Sequence, residues 1–75
     1  MEMHYYGALI RPIVTQAEGI FNSSVVIRDS SSGRQQFHET IGRFASDNAA
    51  TLFAVNWAIA RLEGKPEPRP PFKTH

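Results

Sequence analysis

The side chains in this 75-residue chain best suited to proton transfer or metal binding are three histidines, His4, His38 and His75. None falls in an H-x3-H spacing. His38 and Glu39 are neighbours, so on an extended chain they point to opposite faces and cannot share an ion. We therefore expect neither a metal site nor a cofactor. Serines are plentiful, but no G-x-S-x-G elbow presents one as a nucleophile. The stretch "SSSGR", Ser30 to Arg34, has the composition of a phosphate loop without the lysine and following helix that such a loop needs. The absence of cysteine removes thiolate nucleophiles, thiolate zinc sites and disulfides. Asn22, Ser23 and Ser24 match a glycosylation sequon, which has meaning only on a secreted chain. The expectation is a protein that is not an enzyme.

Binding chemistry is the alternative. Arg11, Arg28, Arg34 and Gln36 could reach from the open face of a sheet into a nucleic-acid groove. Glu18, Asp29 and Glu39 lie in the same region, and the chain carries only +1 overall. Lys65, Arg69 and Lys73 against Glu67 place +2 in the tail and leave −1 for residues 1–64. That balance supplies little counterion-release affinity, so nucleic-acid binding ranks second. The tail sequence "PRPPFK" fits P-x-x-P-x-K, a polyproline pattern that any proline-rich linker can satisfy.

The elements that would position these residues are legible from turn formers and periodicity. "YYGALIRPIVT", Tyr5 to Thr15, is aromatic and β-branched without a helical stripe, and reads as a strand. Pro12 lacks an amide hydrogen, which places that strand at an edge, at least locally. "QAEG" turns the chain. "IFNSSVVIR" follows as a second strand with Phe21, Ser23, Val25 and Ile27 on its core face. "DSSSG" is a hairpin loop, and "RQQFHETIGRF" is a third strand with Phe37 and Ile41 directed inward and Phe44 closing its end. A helix then starts at Ser46 as N-cap with Asp47 in the first turn, runs to about Glu63, and stops at Gly64 and Pro66. We expect an α+β domain over residues 1–64, a three-stranded antiparallel β-meander packed against one C-terminal helix, with a disordered proline-rich tail over 65–75.

Within that helix, "NAATLFAVNWAIA" runs for thirteen residues without a charge. At 100° per residue it divides into two apolar stripes. Ala50, Phe53, Ala54, Trp57 and Ala58 suit close approach to a sheet. Leu52, Val55, Ile59 and Leu62 lie on roughly the opposite side, with the spacing of a and d positions. A chain this small has a thin stability margin, and each of these side chains is worth roughly 1.5 to 3 kcal/mol if fully buried. The expected use of the second stripe is a homodimer across a two-fold axis, although the tyrosine-rich first strand or the tail could instead fold over it, or a different protein partner could cover it. "MEMHYYGALIRPIV" has no basic region followed by a long apolar core, and the helix is too short to span a bilayer, so a cytoplasmic protein is expected.

The layout resembles small, uncharacterised bacterial proteins with three strands followed by one helix. "YYGALIRP", "SSVVIR" and "FASDNAATLFAVNWAIARL" carry the resemblance, which implies no active-site residues.

Overall fold

The computed structural model describes residues 2–69. Four strands, β1 (Met3–Tyr5), β2 (Ala8–Ala17), β3 (Ile20–Asp29) and β4 (Gln35–Phe44), are followed by one helix, α1 (Asp47–Glu63). The strands form one antiparallel sheet in the order β1-β2-β3-β4. The architecture is α+β, as the sequence implies, but the sheet has four strands rather than three.

The additional strand comes from a turn inside the segment read as one strand. Tyr5 pairs with Ala8 around a two-residue loop, Tyr6 and Gly7, whose φ angles are 47° and 75°. Two successive positive φ values match the twist of a tight hairpin, and glycine makes the second inexpensive. A tyrosine at the first position is an unusual choice. The β2–β3 loop repeats the geometry at Glu18 and Gly19. β1 reaches only as far as Met3 opposite Ile10. Pro12 lies beyond that point, where its missing amide hydrogen deprives no described ladder partner.

The helix lies across one face of the sheet, and two clusters of side chains fill the layer between them. One contains Ala8, Ile10, Val25, Ile27, Ala54 and Ala58. The other joins Phe44, Ala50 and Phe53, with the two phenyl rings 4.9 Å apart. Small residues let the helix come close. Ala50, Ala54 and Ala58 are fully buried, as is Ser23, whose hydroxyl donates to the Ala50 carbonyl at 2.7 Å. Gly42, also buried, stands opposite Ser23 in the ladder.

Both ends of the helix follow the sequence signals. Ser46 accepts a hydrogen bond from the Ala49 amide, satisfying one of the unpaired first-turn donors. Gly64 adopts φ 72°, and the Lys65 amide donates back to the Ala60 carbonyl, a glycine-terminated stop. At the start of the proline-rich segment Glu67 forms an exposed ion pair with Arg61 at 3.3 Å. Residues 70–75, with His75 and most of "PRPPFK", lie outside the described residues.

One further difference lies in β4. Phe37 and Ile41 have equal parity and were both expected inward, yet Phe37 is 55% exposed while Ile41 packs against both core clusters. Between the pairs Ser23↔Gly42 and Val25↔His38 the ladder advances two residues on β3 and four on β4. The excess is taken up as a bulge around Thr40, whose φ is 51° and whose amide donates to the buried Ser24 hydroxyl.

Candidate interaction surfaces

Alternation assigns the two sides of the sheet. Ala8, Ile10, Val25 and Ile27 face the helix, so Leu9, Arg11, Val26 and Arg28 face away from it. Ladder partners share a side. Phe37, opposite Val26, therefore belongs to the open face, and Gln36, opposite Ile27, belongs to the helix side. Of the four residues read as nucleic-acid readers, the structure brings Arg11 and Arg28 together on the open face. It does not bring Gln36 or Arg34 to them. Those two line an open cleft of about 1060 Å³ between the β3–β4 loop and the C-terminal end of α1, shared with Tyr6, Asp29, Arg61 and Leu62.

Two of the three cations that line that cleft, Arg61 and Lys65, are paired. Arg61 pairs with Glu67 and rests 5.6 Å from the centre of the Trp57 ring, and Lys65 pairs with Glu63 at 3.2 Å. Asp29 accepts from the Ser31 amide at 2.8 Å and the Ser31 hydroxyl at 2.7 Å, bonds that hold its carboxyl below the usual carboxylate range. These contacts shape the loop that sequence reading compared with a phosphate cradle. The serines serve a turn.

His38 stands on the helix side with its ring 4.8 Å from that of Trp57, and its Nε2 lies 3.1 Å from Gln36 Oε1. Burial lowers its pKa, and the positive charge of Arg61 acts in the same direction against a weaker opposing effect of Glu67. Among the described residues no three His, Cys, Asp or Glu side chains gather closely enough to hold a metal ion. No helix among them is long and apolar enough to cross a membrane.

The second apolar stripe of the helix is narrower than its spacing implied. Leu52 is 61% exposed and Leu62 39%, but Val55 and Ile59 are half-buried, and Ile59 packs against the core cluster. The reason is β1. Its residues Met3 and Tyr5 pack against the same cluster, and the Tyr5 hydroxyl donates to a Glu63 carboxylate oxygen at the end of the helix. That bond pushes the Tyr5 pKa up to about 12 and, with Lys65, holds the Glu63 carboxyl low.

The open face of the sheet was not singled out as an apolar surface from sequence. Leu9, Ile13 and Val26 are half-buried there, no element among the described residues lies above them, and Phe37 is exposed. The missed signal was the bulge. Without it Phe37 reads as core.

Comparison of the chain with family models, with curated proteins and with solved structures finds no match.

Proposed function

We propose that this is a small non-enzymatic interaction module that self-associates as a homodimer through the outer ridge of its helix. The observation that carries the reading is the pair of exposed leucines, Leu52 and Leu62, at the two ends of a ridge whose middle is Val55 and Ile59. A ridge of this kind is self-complementary across a two-fold axis, and its side chains would interleave at helix-crossing distances. The gain matters because a chain of this length has only a few kcal/mol in hand.

The test is the mass in solution at micromolar concentration, by light scattering, of the wild type and of Leu52→Glu combined with Leu62→Glu. Ile59 is left unchanged because its contact with the core would mix loss of folding with loss of association. The double variant is expected to be a folded monomer and the wild type a dimer. Equal masses for the two proteins would overturn the proposal.

A further inference from the structure

We infer that the open face of the sheet is a docking platform for single-stranded nucleic acid, with Phe37 as the base-stacking ring and Arg28 and Arg11 as the phosphate contacts. Three observations carry this. The first is position. Arg11, Val26 and Phe37 lie in one row across β2, β3 and β4, and Arg28 lies on the central strand two residues along. Arg28 is therefore the diagonal neighbour of both Arg11 and Phe37, at about 7 to 8 Å between backbones. A guanidinium beside an aromatic ring, with a second guanidinium one step further, is the combination that lets a strand stack a base and seat its flanking phosphates.

The second observation is availability. Phe37 is 55% exposed, and among the described residues no carboxylate lies within ion-pair distance of Arg28. Among the described residues Arg11 makes one ion pair, with Glu2 at 4.0 Å and both side chains more than half exposed, a contact that a phosphate can replace. His4 and Leu9 line a shallow hollow of about 240 Å³ beside Arg28. Arg43, opposite Asn22, adds a third cation farther along the same face.

The third is charge and shape, which select the occupant. Arg11, Arg28 and Arg43 outnumber the one carboxylate paired there, Glu2, so the face suits an anion better than a second copy of itself. Duplex DNA is also disfavoured. Four strands span about 14 Å from first to last, whereas the major groove is about 12 Å wide and admits a helix or a two-stranded ribbon. A sheet face bearing an exposed ring instead suits unstacked bases. The platform lies on the side of the sheet opposite the helix, so it is independent of association through the helix ridge.

The experiment is fluorescence anisotropy of labelled 15-nucleotide single strands, DNA and RNA, and of the matching duplex, titrated with the full chain at 20 to 200 mM salt. Single strands are expected to bind more tightly than the duplex. Phe37→Ala should weaken binding about tenfold without changing the salt dependence, since a lost stacking contact carries no charge. Arg11→Ala with Arg28→Ala should weaken it further and reduce the slope of log K against log salt by about 1.4, or 0.7 for each phosphate released. Arg34→Ala with Arg61→Ala, which changes the cleft on the helix side, should leave binding unaltered. The inference is overturned by absence of single-strand binding at low salt, by duplex binding of equal strength, or by loss of binding in the cleft variant rather than the face variant. Circular dichroism of each variant separates lost contacts from lost fold, and since all the face residues changed are exposed, each is expected to fold.

Discussion

Removing the Ser23 hydroxyl should weaken the seam between helix and sheet by an amount that can be worked from its surroundings. Ser23 is fully buried, and its hydroxyl donates to the Ala50 carbonyl at 2.7 Å across the layer. In Ser23→Ala the donor disappears, but the Ala50 carbonyl keeps its helical partner four residues on, so no buried acceptor is orphaned. The loss is then the net worth of one hydrogen bond, about 0.5 to 1.5 kcal/mol, rather than the larger penalty of an unpaired group. In a domain of this size each kcal/mol corresponds to about 4 to 8 °C in Tm. Urea denaturation followed by circular dichroism, at one fixed protein concentration so that association does not intervene, should show a lower midpoint with an unchanged slope. Ser31→Ala is the comparison, because it removes an equally short hydrogen bond in an exposed loop and should stay within about 0.5 kcal/mol of wild type. If the two variants were equally stable, the Ser23 contact would contribute nothing and the account of how the helix is seated would fail.

Two pH dependences follow from the helix-side contacts. His38 has its pKa lowered by burial and by Arg61. The unfolded chain therefore binds the extra proton first, and stability should fall as pH drops through about 6.5. His38→Gln should flatten that part of a urea-midpoint profile, and a profile identical to wild type would refute the assignment. At the other end, Tyr5 is pushed up to about 12 by its hydrogen bond to Glu63. Its contribution to stability is present below about pH 10 and lost as pH rises toward 12. In a Tyr6→Phe background, absorbance at 295 nm should report a tyrosine titrating near 12. Glu63→Gln should bring that transition down, and a transition that did not move would show that the bond between β1 and the helix does not form in solution.

The helix was legible almost residue by residue because its signals are local. Ser46, Asp47 and Gly64 each act within one turn, and the alanine stripe with Phe53 faces the sheet as its spacing implies. The hairpin loop after Asp29 was legible for the same reason. The first strand was not, because Tyr6 and Gly7 lie within an unbroken apolar run and a tyrosine with φ 47° carries no turn signal of its own. The inward assignment of Phe37 failed for a related reason. Alternation assumes a regular ladder, and Thr40 breaks it without a glycine to mark the place. Both misses altered the surfaces. The hidden hairpin brought the Tyr5 hydroxyl to Glu63 at the end of the helix, and the hidden bulge moved an aromatic ring to the open face. Arg11 and Arg28 were correctly grouped because their strands are regular, whereas Gln36 is one residue out of phase with the face it was assigned to.

The bulge at Thr40 also has a protective role. β4 is one of the two edge strands of the sheet, and a straight ten-residue border would offer its unpaired amides and carbonyls to any passing chain. With two surplus residues in its middle, β4 presents two short borders out of step with each other instead of one long template. Fibrillar stacking requires an even row of backbone groups, and here the row is interrupted by design of the chain. A shortened protein lacking Glu39 and Thr40 would keep the sequence of every other strand yet lose that interruption, and with it the safeguard against growing by its edge.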